Sequence, residues 1–327
     1  MPAFISRIDD PSRIAEARRN ARRLAGELGL GEQAAEKAAI VVTEACTNLL
    51  KHAADGQVII APGPSSTLLE ILVLDRGPGI ANVEQCLQDG HSTAGTSGGG
   101  LGAISRLSSY TEIYSRPGRG TAILARIAGK GEAVLEPANI GAVQVPKPGE
   151  DVCGDQWGVT EGKPRRTFLL ADGLGHGPDA ARAARAAVDT LYKHPDLSVT
   201  ALLEAVHDAL RSTRGAAVAI AELDADRGTV AFGGLGNISG TIFAEAAPPR
   251  RMVSTNGTAG VEARHIREFT YPWSEGATLV LHSDGISTHW SLSDYPGLAQ
   301  HDPAIITGVV YRDFARGNDD ATIVVAR

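Results

Sequence analysis

Aromatic residues are scarce: Phe, Trp and Tyr make up 5% of a chain of 327 residues. Its cores must therefore be built from Ala, Val, Leu and Ile. Cysteine is scarce as well. The three present, Cys46, Cys86 and Cys153, are odd in number and match no zinc spacing, so they read as reduced thiols and exclude a disulfide framework. No apolar run approaches the roughly 20 residues of a membrane span. The first twenty residues lack the apolar core of a secretory signal. An excess of positive charge is missing too: 31 Lys and Arg against 38 Asp and Glu leave −7, which speaks against nucleic acid as the main partner. The expectation is a cytoplasmic protein that works neither on membranes nor on nucleic acids.

Glycine is plentiful, at 38 residues. At roughly 150 residues per domain the length suggests two domains. Apolar spacing predicts helices over 11–28 and 32–53, the first opened by Asp9 or Asp10 and Pro11. Strands are expected at 57–61 and 67–74, a loop over 75–100, a short helix at 101–108, and a hairpin of 112–115 with 121–127. Residues 129–137 read as a boundary, dividing the chain into 1–131 and 132–327. Beyond it, strands are expected at 140–145, 157–159, 167–171, 216–223, 229–232, 278–281 and 322–326. Helices are expected at 178–192, 199–212 and 303–314. There is no internal repeat.

The second helix carries Glu44-Ala-Cys-Thr-Asn48 and then His52, four apart and so on one face, opposite the apolar stripe. A carboxylate there can take a proton or position a water. An Asn carbonyl is a hard oxygen ligand suited to Mg²⁺. The strand over 67–74 ends in Asp75-Arg76-Gly77-Pro78-Gly79-Ile80, where an aspartate can accept a bond from an adenine amino group. The stretch Gly98-Gly99-Gly100-Leu101-Gly102 then leads into a helix. Glycines permit close backbone approach, and amides at a helix start suit phosphate oxygens. No Lys-Ser/Thr follows, so this is not a P-loop, and it does not follow a first strand as a dinucleotide fingerprint would.

This order of motifs resembles the GHKL ATPase superfamily over residues 10–130, and within it the small RsbW- and RsbT-type serine kinases. The resemblance implies a GHKL-type α/β sandwich in which Asn48 ligates Mg²⁺ and Glu44 is the base that activates a substrate serine. It implies that ATP is bound by Asp75, Gly77, Gly79, the 98–102 glycines with Leu101, and Thr121 of the hairpin. No phospho-accepting histidine box is apparent, and His52 reads as structural.

In the second half, four acidic motifs stand out: Gly154-Asp155, Asp172-Gly173-Leu-Gly-His176-Gly, Ser283-Asp284-Gly285 and Asn318-Asp319-Asp320. Asp172, Asp284 and Asp319 flank predicted apolar strands. Charge at such places is costly unless paired or bound to metal. Several carboxylates on one sheet rim repel without a cation, and Mg²⁺ or Mn²⁺ is the natural partner. Two such ions lower the pKa of a bridging water and clamp a phosphoryl group.

The pattern resembles the metal-dependent protein phosphatases (PPM), in their SpoIIE/RsbX branch, over 138–327. That implies a PPM-type β-sandwich flanked by helices (α+β), giving an α/β two-domain chain. It implies two Mn²⁺ or Mg²⁺ ions bridged by Asp172, with the Gly173 carbonyl and Asp155 at one and Asp284 and Asp319 at the other. Asp320 is the lesser candidate, and His176 either orients phosphate or packs. No arginine stands just ahead of Asp155 to hold phosphate.

Together the resemblances imply a bifunctional signalling enzyme. Its kinase and phosphoserine/phosphothreonine phosphatase would act on a STAS-domain antagonist or stressosome-like partner, within a sigma-factor pathway, as a possible homodimer. Two alternatives are a phosphatase regulated by a non-catalytic ATP-binding module, and a non-catalytic scaffold that binds a sigma factor or STAS protein. Val83, Cys86 and Leu87, ahead of the glycine stretch, read as core rather than partner-facing.

Overall fold

The computed structural model describes residues 3–63, 67–87, 100–129, 131, 138–162, 164–245, 247–263 and 265–327. They form two compact units: Met1–Gly141 with Gln300–Arg312, and Ala142–Ala299 with Asp313–Arg327. No described helix is long and apolar enough to cross a membrane.

The first unit runs β1 (Phe4–Arg7), α1 (Pro11–Glu27), α2 (Glu32–His52), β2 (Gln57–Pro62), β3 (Leu68–Asp75), α3 (Val83–Leu87), α4 (Gly100–Leu107), β4 (Tyr110–Ser115) and β5 (Thr121–Ala128). Asp10 caps α1, accepting from the Ser12 amide at 2.8 Å, and Pro11 opens the first turn. The strands form one antiparallel sheet in the order β1-β2-β3-β5-β4.

β3 reads Leu68-Leu-Glu-Ile-Leu-Val-Leu-Asp75 and is buried at every position but the last. A continuous apolar strand needs cover on both faces. Leu69, Ile71 and Val73 point into the core made with α1 and α2. On the opposite face Leu72 and Leu74 meet Gly308, in the segment Gln300–Arg312. The sequence divides the chain at 131/132. The first unit also takes this distant segment, because the outer face of its sheet carries Glu70 and Arg126, and Arg126 is paired with Asp302.

The second unit begins within β6 (Ile140–Val145). It continues with β7 (Asp155–Glu161), β8 (Arg165–Gly173), α5 (Pro178–Lys193), α6 (Val199–Ala209), β9 (Ala216–Asp224), β10 (Thr229–Leu235), β11 (Ser239–Phe243), β12 (Arg250–Met252), β13 (Phe269–Pro272) and β14 (Thr278–His282). Helix α7 (Pro303–Phe314) leads into β15 (Ala321–Ala326), and its residues up to Arg312 lie with the first unit. Two five-stranded sheets result, β13-β10-β9-β8-β7 and β12-β11-β14-β15-β6. They meet face to face where Gly240 of β11 abuts Phe232 of β10. The alanine-rich face of α5 and the apolar face of α6 cover the other side of the first of these sheets, around Leu169, Val218 and Ile220. The expected α/β two-domain architecture is what the chain adopts.

Candidate functional site

Two sites emerge, one in each unit. In the first, the C-terminal half of α2 and the end of β3 lie together. The Arg76 amide donates to the Ala54 carbonyl at 2.9 Å, just past the end of α2. Glu44 and Asn48 are half-buried on the same helix face, while His52 is exposed. The start of α4 closes on that face: a methyl group on Gly100 would come 3.0 Å from the Asn48 amide nitrogen.

Asp75 pairs with Thr121 across β3 and β5. One of its oxygens accepts from the Gly77 amide at 2.7 Å. Burial raises its carboxyl, against the lowering pull of the Gly77 amide and Arg312. The loop after it is pinned to the 116–120 hairpin, with Gly118 donating to the Pro78 carbonyl at 2.7 Å. Gly79 has φ +72 and lies where a methyl would stand 2.0 Å from the Arg116 carbonyl oxygen, so only glycine fits. Asn48, Asp75, Gly77, Gly79, Gly100 and Thr121 are thus brought to one end of the sheet. Leu101 is half-buried and packs on the core with Val83 and Leu87, and Gly102 is buried. Gly98 and Gly99 lie outside the described residues.

In the second unit the strand register does the gathering. Asp155 is the partner of Asp172 across β7 and β8, so both carboxyls leave the same face of the sheet. Asp155 is fully buried. Its Oδ2 accepts from the Ser283 hydroxyl at 2.7 Å, while its Oδ1 is buried without a hydrogen-bond partner. Asp284 follows β14, and its Oδ2 accepts from the Asn237 amide at 2.7 Å. Asp319 and Asp320 precede β15. Asp320 sits behind, with Oδ1 accepting from the Lys147 amide at 2.9 Å and Oδ2 buried without a partner. Gly285 passes so close to the Asp320 carbonyl that a methyl there would stand 1.9 Å from it.

Asp172, Asp284 and Asp319 line a cleft of about 210 Å³ that Lys147, His176 and Asn237 also border. Burial raises the Asp172 carboxyl, and the charges of Asp155, Asp284, Asp319 and Asp320 raise it further. Burial also raises Asp155, opposed by its bond from Ser283 and reinforced by Asp320 and Asp284. Asp284 is raised by burial and by Asp319.

Comparison with known proteins follows this division. The family model described as a histidine kinase-like ATPase domain matches residues 9–127, and that described as stage II sporulation protein E (SpoIIE) matches 163–327. The chain belongs to the SpoIIE family, with an RsbT-like ATPase domain ahead of it. The serine/threonine-protein kinase RsbT of Bacillus subtilis (strain 168) is 33% identical over 114 residues, which are 34% of this chain and 86% of RsbT. The phosphoserine phosphatase RsbX of the same organism is 21% identical over 144 residues, 44% of this chain and 72% of RsbX. Among solved structures, a chain from the bacterial stressosome, described as a modular system adapted to control secondary messenger signaling, superposes with TM-score 0.54. It shares 26% identity and covers 58% of this chain and 98% of its own. The PP2C phosphatase domain of SpoIIE from Bacillus subtilis, with a fragment of its regulatory domain, superposes with TM-score 0.51 and 18% identity, over 83% of this chain and 81% of that one.

In the SpoIIE-family unit the donor set suits a hard dication. Every candidate ligand is an oxygen, and two buried carboxylate oxygens have no partner. Among the described residues no three acidic, His or Cys side chains are gathered tightly enough to enclose an ion by themselves. The fit is therefore to hydrated ions, since Mg²⁺ keeps most of its waters and takes one or two carboxylates. Three participants were given no role from sequence. Ser283 holds Asp155, Asn237 holds Asp284, and Lys147 brings a cation to a cleft for which no arginine was found ahead of Asp155. Ser283 stands directly before Asp284 in the Ser283-Asp284-Gly285 motif, and Asn237 directly follows Gly234-Leu235-Gly236. Nothing in the spacing marked Lys147, eight positions before Asp155.

Proposed function

We propose that the chain is a two-activity signalling enzyme. The RsbT-like unit would transfer phosphate from ATP to a serine of a partner protein, and the SpoIIE-family unit would hydrolyse phosphoserine or phosphothreonine on such a partner. The observation that carries the phosphatase reading is the crowding of Asp155, Asp284, Asp319 and Asp320 around Asp172, which raises its carboxyl and which a bound dication would relieve. Asp172, the Gly173 carbonyl, Asp155, Asp284 and Asp319 would together hold the metal ions. Mg²⁺ or Mn²⁺ bound there supplies a nucleophilic hydroxide at neutral pH and charge to stabilise the phosphoryl group. Lys147 is placed to attract the phosphate, and Asn237 to keep Asp284 oriented.

In the RsbT-like unit Asp75 would receive the adenine amino group, and Asn48 would hold the Mg²⁺ that accompanies ATP. The backbone at Gly100–Gly102 would approach the phosphates. Glu44, one turn before Asn48, would accept the serine proton. RsbT and RsbX are named as a serine/threonine-protein kinase and a phosphoserine phosphatase, which supports a pair of opposed activities; their shared substrate would be one partner-switching protein of STAS type.

Full-length protein assayed with p-nitrophenyl phosphate and a phosphoserine peptide tests the phosphatase, with Mn²⁺ or with EDTA. Metal-dependent hydrolysis that disappears in Asp172→Asn is expected. Hydrolysis that survives both EDTA and the substitution would overturn the reading.

A further inference from the structure

Beside the metal cleft lies a second, larger cavity of about 350 Å³, wholly within the second unit. Asn237 borders both spaces, so the cavity opens next to the residue that holds Asp284. Its base is aromatic: Phe243 and Trp290 stack with ring centroids 5.6 Å apart. Arg251, exposed on β12, is the lining residue with a permanent positive charge. The Trp290 indole nitrogen is buried and has no hydrogen-bond partner.

We propose that this cavity takes an acidic side chain, Asp or Glu, next to the phosphorylated residue of the substrate, and so sets the sequence preference of the phosphatase. The proposal rests on the phosphatase reading of the neighbouring metal rim. A carboxylate can take the Arg251 guanidinium through two oxygens, a charge-assisted pairing that an apolar or amide side chain does not offer. Charge balance points the same way. The rim of Asp155, Asp172, Asp284, Asp319 and Asp320 repels an acidic peptide, and Arg251 supplies a counter-charge on the side where such a peptide would extend. The volume suits one or two side chains, so the cavity would read residues beside the phosphoserine rather than a folded surface.

The test uses full-length protein with Mn²⁺ and two phosphoserine peptides, identical except that the residues flanking the phosphoserine are Glu in one and Gln in the other. Wild type is expected to prefer the Glu peptide in kcat/KM by about tenfold, the scale of one charge-assisted hydrogen bond. In Arg251→Gln the ratio is expected to fall to about one. In Arg251→Glu a Lys-flanked peptide is expected to become the better substrate. A ratio near one in wild type, or one that persists in Arg251→Gln, overturns the proposal while leaving the phosphatase standing. Failure of wild type to hydrolyse even p-nitrophenyl phosphate overturns the phosphatase reading and this proposal with it.

Discussion

Arg126 of β5 grips Asp302 through two parallel bonds, 2.6 Å and 2.9 Å long, although the residues are 176 positions apart in the chain. Both side chains are buried. Glu70, beside Arg126 in the sheet, accepts from its Nε at 2.9 Å, and Asp302 also accepts from the Ala138 and Ala304 amides. A guanidinium this buried is tolerable only while paired. Asp302→Ala strips the two-pronged partner, leaves Glu70, and frees two amides. The expected loss is about 3 kcal/mol, the lower end of the range for breaking a buried pair. Denaturant unfolding measures it, and a loss below about 1 kcal/mol would mean that the pair is hydrated in solution.

That pair also marks where the sequence was legible and where it was not. Long periodic elements such as α2 and α5 stand within a residue or two of expectation, because a wide apolar stripe at helical spacing has few other readings. The site motifs were legible because Asp75 and Asp172 stand at the ends of apolar strands and Asp284 two residues past one. The short strands β1, β11, β12 and β13 were missed. β12 is Arg-Arg-Met and β13 ends in Pro272, so neither alternates clearly. The place of 300–312 was not legible either. Helix α7 is buried on all sides, so its sequence carries no stripe to say which sheet it covers. Only Glu70 and Arg126, charges inside apolar strands, hinted that a polar partner was needed.

The metal rim makes stability depend on pH in an unusual direction. Asp172, Asp155 and Asp284 all hold their protons more tightly when the chain is folded, chiefly through burial and then through mutual repulsion. Below the unfolded carboxylate value of about 4 they are protonated in both states and cost nothing. As pH rises through the raised folded values, the folded state must ionise a crowded rim, and stability falls. In EDTA, Asp172→Asn is therefore expected to melt at a higher temperature than wild type at about pH 8, with the gap closing toward about pH 4. Added Mn²⁺ should stabilise wild type more than the variant. A gap that is absent at high pH, or that widens on acidification, would show that the carboxyls do not repel as the geometry requires.

Asn237 is a positioning residue, since its amide touches Asp284 rather than the reacting atoms. Asn237→Ala is expected to weaken activation by Mn²⁺ by about 10–100-fold, the usual cost of losing a bond that orients a metal ligand. The measurement is the metal concentration for half-maximal hydrolysis of p-nitrophenyl phosphate. At saturating metal the turnover should largely return. A loss of turnover with unchanged metal dependence would instead place Asn237 against the substrate.

Glu44 and Asn48 lie one helical turn apart on the same face of α2, yet their proposed tasks separate experimentally. Asn48 would hold the metal that accompanies ATP, so Asn48→Ala is expected to abolish binding of a Mg²⁺–ATP analogue to the full chain, measured by calorimetry. Glu44 would act only when a serine proton must leave. Glu44→Ala is therefore expected to keep that affinity within about threefold while lowering phosphotransfer by about 10²–10⁴-fold, the range for a positioned general base. The two residues are half-buried on one helix face, so a general distortion of that face would move both readouts together. If phosphotransfer to the partner is unchanged in Glu44→Ala while the analogue still binds, the RsbT-like unit is an ATP-responsive module without kinase chemistry. The phosphatase would then be the chain's one catalytic output.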